Sequence, residues 1–267
     1  MKLLSFIILT LMFSAILSKG QKKPKGRTTT ISGEIIEIKI PVKNKHEEVK
    51  NQTEEIKQVQ NSIKSDLKDY TLEMQNQRFI SDNVITEVNV GVLNINGKQA
   101  LKVTYSYTLK NDTLKFQTDD FGPGKYLLNE SNALQVTLAV LKKNIEGKLA
   151  KYISPTKKIS ITVNGSADAV PFKRAMQYKG EFGEQIREAC DFEGKAIEML
   201  VAKSKGISDN PTLAFLRSYT VRDYLNEKIF HQKYANLKYH HSASVSDKRG
   251  GQFRRVFVEL LIYNAFE

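Results

Sequence analysis

The sequence is short of the residues that cross-link chains or carry out hydrolysis. Its 267 residues contain a single cysteine, Cys190, so no intrachain disulfide can form. Cys190 also lies far from the amino terminus and cannot be a lipidated lipoprotein cysteine; it reads as a small buried apolar residue in a helical pattern. No G-x-S-x-G elbow, H-E-x-x-H helix or phosphate-cradling glycine loop occurs. No nucleophile can be paired with a base, so the chain is not expected to be an enzyme, and no cofactor or metal is expected. Histidine is scarce, four in all, two of them adjacent as His240-His241 with Asp247 nearby. Neighbours on a strand point to opposite faces, so this pair cannot easily share an ion, and one ring is expected to face the core or the sheet surface. Long apolar runs are scarce too: after residue 17 no stretch is long enough to span a bilayer.

Acidic residues are outnumbered, 29 Asp and Glu against 41 Lys and Arg, for a net charge of +12. Such an excess points to an anionic partner, whether nucleic acid, lipid headgroups or carboxylate-rich cell wall, or else to a basic soluble surface. The amino terminus narrows that choice. Lys2 precedes an apolar run from Leu3 to Leu17, followed by Ser18-Lys19-Gly20. This is the pattern of a secretory signal peptide cut after Gly20, the alternative being an uncleaved signal anchor. The run falls short of the roughly 20 residues that a membrane-spanning helix needs. Export argues against nucleic acid, and with it against reading Lys248-Arg249-Gly250-Gly251 as an RNA-binding loop. No membrane span is expected after cleavage.

What is present suffices for a core: 40% hydrophobic residues, with 13 Phe and 11 Tyr. Residues 21–29 read as a basic linker, and 30–42 as an Ile-rich strand. From 44 to 70 the text is charged, with Val49, Ile56, Ile63 and Tyr70 every seven residues and Val59 and Leu67 beside them. That is a helix with a narrow apolar stripe, either a short coiled coil or a helix lying on a sheet or on its neighbour. Val84 to Ile95, the turn signal Asn96-Gly97, Leu101 to Leu109 and Thr113 to Gln117 predict an antiparallel meander. After Phe121-Gly122-Pro123-Gly124 helices and strands alternate. The pattern predicts a short strand at 126–128, a helix from Ser131 to Ile153, a strand from Lys158 to Asn164 and a helix from Glu184 to Lys203. A further helix is capped by Asn210 with Pro211 at its first position, and strands follow at 239–244 and 255–263. The chain is therefore α+β.

Three stretches of this second half resemble the OmpA-like domain family, whose pattern runs G-H-T-D at a strand end, N-x-x-L-S-x-x-R-A opening a helix, and R-R-V-E-I in the last strand. The counterparts are Gly165-Ser166-Ala167-Asp168, the run from Asn210 through Leu213 to Arg217-Ser218, and Arg254-Arg255-Val256. The resemblance covers about residues 120–267 in β-α-β-α-β order. It leaves 30–119 as an N-terminal strand, helix and meander, and 171–209 as an insertion carrying the extra helix.

The resemblance implies a cell-envelope or periplasmic protein, outer-membrane associated, that binds peptidoglycan non-covalently. Asp168 and Arg217 would hold the diaminopimelate of the stem peptide, with Asn210, Ala167 and Arg255 lining the site. A carboxylate accepts from an ammonium, and a guanidinium fork grips a carboxylate. On this reading, replacing Asp168 or Arg217 by Ala removes wall binding with little loss of stability. The N-terminal helix stripe is a candidate surface for an envelope protein partner. The chain departs from the family at Ser166-Ala167, where His-Thr is usual, at Pro171 for a glycine, and at Ala214 for a serine. If those changes abolish ligand binding, the alternative is an envelope structural or interaction protein that keeps the OmpA-like fold.

Overall fold

A computed structural model describes residues 46–110, 119–230 and 234–266, with side chains from residue 53 onward. The expected signal peptide, basic linker, first strand and third meander strand lie outside the described residues.

Helix α1 (His46–Asn76) places Val59, Ile63 and Leu67 four residues apart on one face, and all three are buried. The face packs on strand β1 (Val84–Ile95) and on helix α2 (Asn132–Glu146). The stripe therefore lies on a sheet and a neighbouring helix, one of the two expected outcomes. Lys148 reaches back to Asp66 and donates to the Ser62 carbonyl at 2.7 Å, and the Tyr152 hydroxyl donates to Glu55 at 2.7 Å. The turns after α2 are thus clamped to α1.

Strand β1 and strand β2 (Lys98–Leu109) pair along their whole length. Asn96 and Gly97 take φ of 53° and 79°, the left-handed pair that a two-residue hairpin turn requires. The other strands are β3 (Ile159–Ala167), β4 (Gln185–Phe192), β5 (Lys195–Ala202), β6 (Leu237–Val245) and β7 (Val256–Ile262). All seven form one mixed sheet in the order β1-β2-β7-β3-β6-β4-β5. The contacts β3 to β6 and β6 to β4 are parallel, and the rest antiparallel. Because β2 pairs with β7, the meander and the later strands belong to one sheet.

Helix α3 (Asn210–Tyr224) lies on β3 and β6. It comes so close that a Cβ on Gly165 would stand 2.0 Å from the Ala214 carbonyl oxygen and 2.9 Å from the Ser218 nitrogen. Along β3 and β7 the buried residues alternate: Ile159, Ile161 and Val163 in one strand, Val256, Val258, Leu260 and Ile262 in the other. These pack under the helices. The alternate row, Thr104, Glu259, Thr162 and His240 in register across four strands, faces the other way, and no described helix covers it.

Four local expectations need correction. Residues 184–203 form the hairpin β4–β5, not a helix, and this hairpin widens the sheet. Ile186 and Cys190 on one strand, and Met199 and Val201 on the other, are buried at spacings of two and four, with Glu193 and Gly194 at φ of 52° and 83° in the turn. The segment at 126–128 is a loop entering a 3₁₀ turn (Leu128–Glu130), because the Glu130 carboxylate accepts from the Tyr126 and Leu127 nitrogens at 2.9 Å each. Helix α2 stops at Glu146, before Gly147, while Leu149, Tyr152 and Ile153 remain buried in the turns beyond it. The cap of α3 is Asp209, whose carboxylate accepts from the Thr212 nitrogen at 2.8 Å; Pro211 opens the helix as expected. A π-helical turn (Leu225–Phe230) extends it.

Candidate functional site

Strand β3 ends at Ala167, which places Ser166 and Asp168 between the start of α3 and the loop leading into β7. The Ser166 oxygen accepts from the Arg255 nitrogen at 3.2 Å and lies within hydrogen-bonding reach of the Phe253 and Arg255 carbonyls. Ala167 is fully buried, and its carbonyl accepts from the Ser246 nitrogen at 2.8 Å. Asp168 is buried as well. One carboxylate oxygen accepts from the Gly250 nitrogen at 3.1 Å and stands 3.3 Å from the Arg254 Nε. The Arg254 guanidinium also donates to the Phe121 carbonyl at 3.2 Å. Asn210 does not cap α3. Its side-chain amide donates to the carbonyls of Asp168 and Val170 at 2.9 and 3.0 Å, tying the loop after β3 to the helix.

Arg217 has 0% of its surface exposed. All three guanidinium nitrogens donate to main-chain carbonyls: Nε to Lys125 at 2.9 Å, Nη1 to Ser166 at 2.6 Å, Nη2 to Gly122 at 3.4 Å. The cation also stands 5.0 Å from the centre of the Phe121 ring. Burial pushes its pKa down to about 10, while Asp168 and Asp120 favour the charged form. It therefore stays protonated at neutral pH. The fork that the resemblance assigns to a ligand carboxylate is filled from inside the protein. A buried cation with that many partners is costly to remove, which argues against the expectation that Arg217→Ala loses little stability.

Asp120 completes the cluster. It is buried, and its Oδ2 has no hydrogen-bond partner among the described residues. Burial pushes its carboxyl up to about 6, against the pull of Arg254 and Arg217. Next to it Asp119 accepts from the Ser81 nitrogen at 3.0 Å and from the Ser81 hydroxyl, joining the cluster to the turn before β1. Arg255 is only half-buried and forms no ion pair among the described residues.

The structure thus brings together four of the five expected site residues, Asp168, Arg217, Asn210 and Ala167, and places Arg255 at the rim. Asp120, Arg254 and the carbonyls of Gly122 and Lys125 were not read as site groups. The one available signal was Asp119-Asp120 directly before Phe-Gly-Pro-Gly, a pair of acids entering a tight turn. Chemically, two arginines facing buried carboxylates and carbonyls form a clasp; none of these groups pairs a nucleophile with a base. Cys190 lies on β4 rather than on a helix. Burial raises its thiol to about 11, so it is inert at neutral pH. Among the described residues no cluster of His, Cys, Asp and Glu could hold a metal ion. As expected from strand alternation, His241 is buried under α3 while His240 is exposed.

No family model matches the chain, and no curated protein or solved structure matches it at a significant level.

Proposed function

We propose that this chain is an exported, non-enzymatic protein of the cell envelope, built on an OmpA-like core whose Asp–Arg motif has become an internal clasp. The observation that carries this reading is Arg217: fully buried, with every guanidinium nitrogen on a main-chain carbonyl. The clasp joins the loop at 121–125, the end of β3 and the start of β7, so it fixes the core instead of facing a ligand. The OmpA-like core is supported by the first motif stretch at the end of β3 and the second opening α3, while Arg254 and Arg255 of the third lie in the loop before β7 and only Val256 enters the strand. A net charge of +12 suits an anionic envelope partner. Part of the α1 stripe is already used inside the chain, since Val59 and Ile63 are buried there.

A second reading keeps peptidoglycan as the ligand, with diaminopimelate held by Asp168 and Arg217. It is favoured by the convergence of residues 166–168, 210–217 and 254–255, far apart in the chain, on one spot. On that reading the loops carrying Gly122–Lys125 and Gly250–Arg254 swing away to free the guanidinium.

Sedimentation separates the two. The chain from Gln21 onward is spun with insoluble peptidoglycan sacculi, with and without free meso-diaminopimelate. The clasp reading predicts that diaminopimelate changes nothing, whatever charge-driven binding the basic surface shows. Sedimentation that free diaminopimelate abolishes contradicts it and establishes the ligand reading.

A further inference from the structure

Strand β4 pairs with β6 only from Cys190 to Phe192, opposite His241 to Ala243. Before Cys190 the two parallel strands part, and the gap opens a cleft of about 580 Å³. Its walls include Glu188 and Cys190 of β4, Arg222 of α3, and Tyr239 and His241 of β6. It shares no residue with the clasp around Asp168. A volume of this size is in the range of small-molecule sites, roughly 300–1,000 Å³.

Three of the wall residues each carry a buried polar atom with no hydrogen-bond partner among the described residues: Arg222 Nε, Tyr239 Oη and His241 Nε2. Buried polar groups are nearly always paired, so three orphans in one cleft call for an explanation. The hydrogen on His241 can be assigned. Ser218 donates its single hydroxyl proton to the Phe215 carbonyl at 2.8 Å and lies 3.0 Å from His241 Nδ1. Nδ1 must then be the donor to Ser218, which leaves Nε2 as a bare lone pair. Arg222 Nε offers an N–H, and Tyr239 a hydroxyl that can do either. The groups are held rigidly. The His241 ring stacks on Tyr219 at 5.5 Å, and the Arg222 guanidinium lies 5.2 Å from the Tyr219 ring and 5.8 Å from that of Tyr239.

We propose that this cleft binds a neutral polyhydroxylated ligand, a saccharide. The ligand must donate to His241 Nε2 and accept from Arg222 Nε. A simple anion leaves the lone pair unmet, and a simple cation leaves the N–H unmet. Neighbouring sugar hydroxyls each donate and accept, so they satisfy both. The charges are already paired across the cleft, Arg222 Nη2 to Glu188 at 3.4 Å. A zwitterionic amino acid also carries both functions, but its carboxylate would have to compete with Glu188 for Arg222. The neutral imidazole and the un-ionised Cys190 thiol make the cleft a binding surface and not a reactive one. The inference does not rest on the clasp reading.

The test is titration of the ¹⁵N-labelled chain with glucose, N-acetylglucosamine and the β-1,4-linked N-acetylglucosamine trimer, with glycine as the zwitterion control. Saturable amide shifts centred on β6 and the end of α3 are expected with at least one saccharide and not with glycine. Tyr239→Phe, which keeps the ring and removes only the hydroxyl, should weaken that affinity by about three- to tenfold, with an otherwise unchanged spectrum. Glycine shifting these amides while the saccharides do not overturns the ligand class. No saturable response to any probe, or equal affinity in Tyr239→Phe, overturns the site.

Discussion

Asp120 and His241 are the two buried groups whose protonation bears most on stability at the residue scale, and they act in opposite directions. The Asp120 carboxyl titrates near 6 in the fold against 3.8 when unperturbed, because burial disfavours its charge. Its folded pKa is raised, so its contribution is fully present below about pH 4 and is lost as the pH rises through 6. His241 is pulled from 6.5 down to about 4, first by burial and then by Arg222 and His240. Its contribution is present above pH 6.5 and is lost as the pH falls toward 4. Asp120→Asn removes the first term and leaves the second. The variant should match or exceed wild type at pH 8 by as much as a shift of this size allows, on the order of 3 kcal/mol. Its stability should climb from pH 4 to 6.5 and then level off. Urea titrations at pH 4, 6 and 8 measure this, and a variant whose advantage over wild type does not grow between pH 4 and 6 sinks the assignment.

Contact between helix and sheet is set at the scale of elements by one glycine. The Gly165 α-carbon lies against the backbone of α3, and a methyl there would overlap the Ala214 carbonyl. Gly165→Ala should therefore lift α3 from β3 and cost about 2–3 kcal/mol by overpacking, read from the urea midpoint. A variant as stable as wild type contradicts the close approach. Gly165 was legible in the sequence only as part of a motif; its packing role depends on α3 crossing at this point. The β1–β2 hairpin was legible from its turn, since Asn96-Gly97 is the pair that tolerates positive φ at both positions. The β4–β5 hairpin was not. Ile186, Cys190, Ile197 and Val201 fit a helical stripe as well as an alternating strand, and Glu193-Gly194 is a weaker turn signal than Asn-Gly. The Asp209 cap was missed for a similar reason. Asp and Asn are both good caps in adjacent positions, and only the tertiary pull of the Asp168 and Val170 carbonyls decides which one turns away.

At the largest scale, the described residues form two layers, with their helices on one face of a seven-stranded sheet. The α+β class and most strands follow from alternation and turn residues. The candidate site was legible as a set of residues and not as an environment. Asp168, Arg217 and Asn210 do converge, but burial, and with it the choice between ligand fork and internal clasp, is set by loops at 121–125 and 250–254 that no local pattern predicts. The splayed β4–β6 cleft was hidden entirely, since it depends on a hairpin that the sequence disguised as a helix.

The central claim is that Arg217 is a clasp, and the most direct measurement is the unfolding free energy of Arg217→Met, which keeps apolar bulk and removes the fork. The account predicts a loss on the order of 3–5 kcal/mol, because three main-chain carbonyls lose their donor in a buried setting and the carboxylates of Asp168 and Asp120 lose a nearby positive charge. A loss within about 0.5 kcal/mol, the range of an ordinary surface substitution, would contradict it and return Arg217 to the role of an open fork waiting for a ligand.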